Sequence, residues 1–166
     1  MPLFSLKPPR FRFETVDEAF FETAPNLYSD SFETPRPSSD VWADLVADGA
    51  LSFCRALHGA KWTSPRPFGI GTTRTMVTAI GLGVQTTFFR WEEGRRYSFS
   101  ADGADLPLVR RLAEDYMVEE TSATTSRFTW TVAIDPYPIT RFAEPVTALL
   151  VNGLFKDARR HFGTLP

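Results

Sequence analysis

A single cysteine, Cys54, stands among 166 residues, so no intrachain disulfide can form. A lone thiol inside an apolar pattern reads as a small buried hydrophobe. Histidine is almost as scarce, with only His58 and His161. There is no Cys-x-x-Cys and no His-Glu-x-x-His, so a metal site lacks clustered ligands and none is expected. His58 is read at the end of a short helix and His161 near the end of the last one, where an imidazole commonly sits against free carbonyls. Gly-x-Ser-x-Gly is missing, which argues against an esterase-type nucleophile. Gly69-x-Gly71 and Gly81-x-Gly83 are not followed by helical patterns, so neither is expected to cradle a phosphate, and no cofactor is expected. No apolar run approaches the ~18 residues of a membrane span. Residues 1–12 lack an apolar stretch followed by a small-residue cleavage site, so a reducing cytoplasm is the expected compartment. An excess of one charge is also lacking: the formal net charge is −2. The arginine pairs Arg95-Arg96, Arg110-Arg111 and Arg159-Arg160 are dispersed, and no basic face for nucleic acid emerges.

What the sequence has is bulky apolar surface: aromatics make up 14%, with fifteen Phe. The stretch that organises the rest is a long helix expected over about 138–162. Its residues Val151, Leu154, Phe155, Ala158 and Phe162 share one face of a 3.6-residue period, with Asn152, Lys156, Arg159 and Arg160 opposite. Pro145 must lie in or near the first turn, because in the interior it would cost ~3 kcal/mol. A helix this amphipathic needs a partner to cover its apolar face. A second stripe, Phe142, Val146, Leu149 and Gly153, is rotated from the first and is expected to be covered by the N-terminal arm or by a second copy, as a homodimer.

That arm is residues 1–26, punctuated by Pro2, Pro8, Pro9 and Pro25 and too apolar for a free linker, with Phe4, Phe11, Phe13, Phe20 and Phe21. Thr15-Val16-Asp17-Glu18 fits a capping box opening a short helix to about Thr23. Residues 27–166 form the ligand-binding body. A strand over 27–34 is stopped by Pro35 and Pro37, and Ser38 or Ser39 caps a helix through Val41, Trp42, Leu45 and Val46. Asp48-Gly49 breaks it, and Leu51, Cys54 and Leu57 at spacing three predict a second short helix. The period then switches to two. Strands are predicted over 60–64, 70–80, 84–92, 95–101, 113–120 and 126–134, with turns at Gly81-Leu82-Gly83 and Glu93-Gly94. Alternation of Tyr97, Phe99 and Ala101 with Arg96, Ser98 and Ser100 gives one buried and one wet face, the habit of antiparallel sheets. Residues 102–112 interrupt the strands as an apolar flap, where Asp105 could cap a one- to two-turn helix carrying Leu106, Leu108, Val109 and Leu112.

The order strand, two short helices, six strands, long helix resembles the START-like, polyketide-cyclase-like helix-grip superfamily (SRPBCC). Four stretches carry the resemblance: Phe32-Glu33-Thr34-Pro35 with Val41-Trp42; Trp62-Thr63-Ser64-Pro65 leading to Gly69-Ile70-Gly71-Thr72-Thr73-Arg74; Trp91-Glu92-Glu93-Gly94-Arg95-Arg96-Tyr97-Ser98-Phe99; and Leu112-Ala113-Glu114-Asp115-Tyr116 with Arg127-Phe128-Thr129-Trp130-Thr131. It implies an α+β helix-grip fold, a seven-stranded curved antiparallel sheet wrapped around the C-terminal helix, with a cavity for a hydrophobic small molecule. Fold does not imply function.

Strand parity points Tyr97 and Phe99, Tyr116 and Val118, and Phe128 and Trp130 inward. Glu114 shares parity with Tyr116, and Arg74 with Thr72, Met76 and Thr78. An inward Arg74 needs a partner, either Glu114 or a ligand oxygen, because a buried charge is costly unless paired. The expected ligand contacts are Trp62, Arg74, Phe88, Tyr97, Phe99, Glu114, Tyr116 and Trp130 from the sheet, with Leu150 and Leu154 from the helix. Three functions fit: a carrier or sensor for a lipid-like or aromatic molecule; a cofactor-free cyclase or dehydratase using Glu114 and Arg74 for acid-base and enolate work; or an interaction module with a collapsed cavity.

Overall fold

The computed structural model describes residues 8–165; Pro2 and Phe4 of the arm lie outside them. Strands β2 (Asn26–Thr34), β3 (Leu57–Trp62), β4 (Thr73–Thr78), β5 (Gly83–Glu92), β6 (Arg96–Ala104), β7 (Arg111–Glu120) and β8 (Ser126–Asp135) form one antiparallel sheet in the order β2-β8-β7-β6-β5-β4-β3. Every step except β2-β8 joins strands consecutive in the chain, and β2 returns along β8 to close the other edge. The sheet curls around α3 (Glu144–Phe162), which follows a 3-10 turn at Pro138–Ala143. This is the helix-grip fold.

The expected helix face is the gripped one: Val151, Phe155, Ala158 and Phe162 are buried. Burying a side chain of the size of Val or Phe contributes roughly 1.5–3 kcal/mol. Pro145 sits at the start of α3, where its missing N–H costs nothing. Polar clamps fix the C-terminal half. Arg159 makes two hydrogen bonds to the Asp30 carboxylate at 2.7 and 2.6 Å, and the Thr34 hydroxyl donates to the Phe162 carbonyl at 2.6 Å. Asp157, 4% exposed, accepts the Arg55 backbone N–H at 2.9 Å and its Nε at 3.0 Å. Ahead of Val151 the helix exposes Val146, Leu149 and Leu150, and at its first turn Glu144 accepts the Tyr28 hydroxyl at 2.9 Å.

Several local expectations are revised. α2 (Ser38–Val46) starts after Pro37 with no side-chain cap from Ser38 or Ser39. The second short helix is a run of turns, and Leu57 opens β3. The cause is local: Gly49 (φ 72°) and Leu51 (φ 66°) are both left-handed, which no α-helix continues through. Exposed His58 therefore lies on β3, not at a helix end. β4 is shorter than read because Gly71 (φ 85°) turns the chain before it, leaving Ile70 and Ile80 exposed in the flanking loops. The segment 105–110 holds no helix: Asp105 accepts the Gly83 N–H at 2.9 Å, tying the loop to the sheet.

The arm takes a different face from the one expected. Short β1 (Phe11–Arg12) pairs with Gly103 and Ala104, where β6 has run past its pairing with β7. Phe13 packs on Ala101 and Ala104. Phe20, from α1 (Phe20–Thr23), packs on Ala113 and Ala133. Ala113 and Ala133 have the parity opposite to Glu114 and Val132, so α1 covers the back of the sheet. The capping box is unused: α1 starts at Phe20, and Asp17 instead accepts the Ala19 N–H at 3.0 Å. Phe142 is 93% exposed and Leu149 72%, so the second helix stripe is uncovered by residues 8–26.

Candidate functional site

Cross-strand register assembles the concave wall in rows. Trp62 lies opposite Arg74; Phe88 opposite Phe99, which lies opposite Glu114; and Trp91, Tyr97, Tyr116 and Trp130 run across four strands. Beneath α2, aromatic side chains fill the half-barrel. Trp42 and Trp91 both donate to Glu93, at 3.0 and 2.7 Å, while Trp62 donates to the Ala47 carbonyl at 2.9 Å. The sheet and α3 enclose a hollow of about 110 Å³. Of the expected contacts, Arg74, Phe99, Glu114, Tyr116, Trp130 and Leu154 line it. Trp62, Phe88 and Tyr97 do not; they pack against the far side of Arg74. Leu150 is 59% exposed and also lies outside the lining. Leu51, Leu57, Met76, Thr78, Val84, Thr86 and Leu112 complete the wall.

Leu57 and Thr86 were not anticipated. Leu57 falls within the predicted second helix, and Thr86 is a polar residue on the inward parity of Val84 and Phe88; the irregularity beside it carries its extra residue, Asp102, in β6 and leaves that parity intact. A second bulge inserts Phe89 in β5 and brings Trp91 onto the inward side.

Two charged groups face this hollow from opposite flanks. Glu114 accepts hydrogen bonds from the Tyr116 hydroxyl (2.7 Å) and the Trp130 indole (2.9 Å), both at Oε2. Burial pushes its carboxyl up, against the opposing pull of those two hydrogen bonds and of the Arg74 charge. Burial also raises the phenol of Tyr97 to about 12, with Arg74 acting in the opposite direction, and raises Tyr116 well above its ordinary value, with the Glu114 charge adding to the rise. Cys54, fully buried, is raised to about 12 by burial, then by Asp157 and Glu114. A thiol so disfavoured as thiolate is a packing residue.

Arg74 is the unusual member. It is 1% exposed, and among the described residues Nε, Nη1 and Nη2 have no hydrogen-bond partner. The expected pairing with Glu114 is therefore not made. The guanidinium carbon instead lies 4.4 Å from the Phe99 ring centroid, 4.9 Å from Phe88, 5.4 Å from Trp62 and 5.7 Å from Tyr97. Ring faces attract the positive charge, each by ~0.5–2 kcal/mol. They do not replace acceptors for the guanidinium's five N–H groups. Among the described residues, no three His, Cys, Asp or Glu side chains gather as a metal site, and no helix is long and apolar enough to cross a membrane.

A curved antiparallel sheet, a gripped C-terminal helix and a hollow between them define the START-like class of helix-grip proteins. Within it, the chain belongs to the polyketide cyclase/dehydrase and lipid transport family, whose profile matches residues 28–164. It is 34% identical over 123 residues to an uncharacterised protein of Mycobacterium bovis, a match covering 72% of each chain. Among solved structures, a START superfamily protein of Mycobacterium smegmatis superposes with TM-score 0.63 at 10% identity, covering 82% of this chain and 96% of that one. A Bacillus thuringiensis protein gives TM-score 0.63 at 17% identity, covering 82% and 98%. At such identities the likeness is one of fold. The family makes the chain a protein of the hydrophobic-ligand-binding or cyclase kind.

Proposed function

We propose that the protein binds a hydrophobic small molecule, lipid-like or aromatic, between its sheet and α3, as a carrier or sensor. The observation that supports this most is a hollow walled by Phe99, Tyr116, Trp130 and Leu154 under a helix clamped through its C-terminal half and held at its start by the exposed hydrogen bond from the Tyr28 hydroxyl to Glu144. At about 110 Å³ the hollow is smaller than the ~300–1,000 Å³ of ligand pockets in general. Filling it with a whole ligand requires the exposed start of α3 to move outward and the Tyr28–Glu144 hydrogen bond to open. Native mass spectrometry of the freshly purified full chain tests the reading. A retained small molecule, or stoichiometric uptake of an added one, supports it. An empty protein that takes up neither fatty acids nor aromatic polyketides refutes it. The same spectra give the subunit count, and so test whether a second copy covers the stripe of Phe142, Val146 and Leu149.

A cyclase or dehydratase activity is the second reading, favoured by Glu114. A carboxyl whose hold on its proton burial strengthens can deliver that proton, while the Arg74 charge stabilises an enolate oxygen. Loss of water from a poly-β-ketone incubated with the protein, abolished in Glu114→Gln, would establish it. No turnover above the protein-free rate would reject it.

A further inference from the structure

Arg74 is the second residue of β4, and its backbone is paired on both sides, facing Trp62 on one and Thr86 on the other. Its head lies at the wall of the hollow with the rings of Phe88 and Phe99 closest. A guanidinium does not lose its proton in a protein, so the site carries a permanent positive charge with an unused fork of donors. The group that would complete it is an anion entering from the hollow, since the rings of Trp62, Phe88, Tyr97 and Phe99 gather round the guanidinium without offering an acceptor in reach.

Its chemistry is narrowed by shape and charge. A planar carboxylate meets the guanidinium fork with two parallel hydrogen bonds. Most of the wall beside it is apolar, with Met76, Val84, Leu112 and Leu154 alongside Thr78 and Thr86. Burial favours the uncharged forms of the Glu114 carboxyl and the Tyr116 phenol. A monoanion matches the one guanidinium of the wall, and a phosphate dianion exceeds it. An engineered cavity of ~150 Å³ holds a benzene molecule, so about 110 Å³ accommodates a head group and the first part of a body. The remainder extends toward the exposed start of α3.

We infer that the ligand is an apolar monocarboxylate bound head-inward, its carboxylate paired with the Arg74 guanidinium and its body lying along Met76, Leu112 and Leu154. This rests on the hydrophobic-ligand reading and adds the charge and orientation of the ligand.

Calorimetric titration of the full chain, stripped of bound lipid, tests it with octanoate, 1-octanol and octyl phosphate at neutral pH. Octanoate is expected to bind at least about tenfold tighter than 1-octanol, the weight of a charge-assisted hydrogen bond, and tighter than octyl phosphate. That ratio of octanoate to octanol affinity is expected to fall close to one in Arg74→Met and to be partly kept in Arg74→Lys, which retains the charge without the fork. Equal binding of octanoate and octanol by the wild type, tighter binding of octyl phosphate, or a preference that survives Arg74→Met would each overturn the inference while leaving hydrophobic binding intact. Should Arg74→Met fail to fold, the wild-type comparison decides alone. Failure of octanoate, octanol and an aromatic pair, 2-naphthoate and 2-naphthylmethanol, to bind at all would instead sink the reading on which the inference rests.

Discussion

Replacing Arg74 by Met is expected to make the ligand-free protein more stable. Arg74 is 1% exposed, and among the described residues its side-chain nitrogens have no hydrogen-bond partner. Each buried polar group left without a partner costs about 1–3 kcal/mol, and burial of the charge itself costs several more. The aromatic rings around it, at 4.4–5.7 Å, offset part of this through cation–π attraction of ~0.5–2 kcal/mol each. Met keeps much of the volume, fills irregular space and makes favourable sulfur–aromatic contacts. Swapping buried charges for apolar groups of similar size is often neutral or stabilising by ~1–4 kcal/mol. We expect a gain of about 2 kcal/mol, which at this chain length raises Tm by roughly 4–8 °C. Urea unfolding of lipid-stripped wild type and Arg74→Met reads the difference directly. Added octanoate is expected to narrow the gap by stabilising the wild type more than the variant. A variant weaker than wild type by more than about 1 kcal/mol would refute the reasoning, because the aromatic cage would then be satisfying the guanidinium by itself.

Glu114→Gln addresses the opposite wall. With its folded pKa raised, wild-type Glu114 favours folding below its unfolded value near 4 and disfavours it progressively as pH rises through the folded value. Gln has no proton to lose, so the stability difference between Gln and wild type is expected to grow with pH from about 4 upward; denaturation midpoints across that range would show a flat difference if the account is wrong. Asp157 has the other sign: burial works to raise it, but hydrogen bonds from Arg55 and the Arg160 charge hold it below the ordinary value. Its contribution is present above the unfolded value and lost as pH falls through the folded one. Asp157→Asn is expected to cost about 1–3 kcal/mol by urea unfolding, having disturbed the acceptor of the Arg55 backbone N–H. Gly103→Ala should detach the arm, since a methyl there would lie 2.3 Å from the Phe11 carbonyl oxygen and 2.7 Å from Pro9. Amide exchange of Phe13, whose N–H donates to the Asp102 carbonyl, is expected to accelerate while the core amides of β8 stay protected.

The fold was legible because its periods are clean. Alternation along β6 and β8 and the face of Val151, Phe155, Ala158 and Phe162 prescribe a sheet wrapped on a helix, and the structure builds that. Parity also brought Arg74, Glu114, Tyr116 and Trp130 to one cavity wall. Where the reading failed, a backbone event broke the period. Left-handed Gly49 and Leu51 turned a helical spacing into turns, and the extra residue Phe89 in β5 moved Trp91 onto the inward side; Thr86 kept its parity with Phe88 but is polar. Whether Trp62 and Tyr97 fill space or line it depends on the volume between rows, which no one-dimensional pattern records. The arm's Phe residues announced that they would pack but not on which side. The small residues Ala113 and Ala133 on the back of the sheet, which receive Phe20, were the available signal.

The account turns on Arg74 facing a space that a ligand's oxygens complete. A crystal structure of the full chain grown with octanoate tests this most directly. The expected result is carboxylate density within hydrogen-bond distance, about 2.7–3.2 Å, of the Arg74 nitrogens, with the alkyl chain running past Leu112 and Leu154. Octanoate found only on the exposed stripe of Phe142 and Leu149, with the hollow unchanged and Arg74 still unpaired, would contradict it.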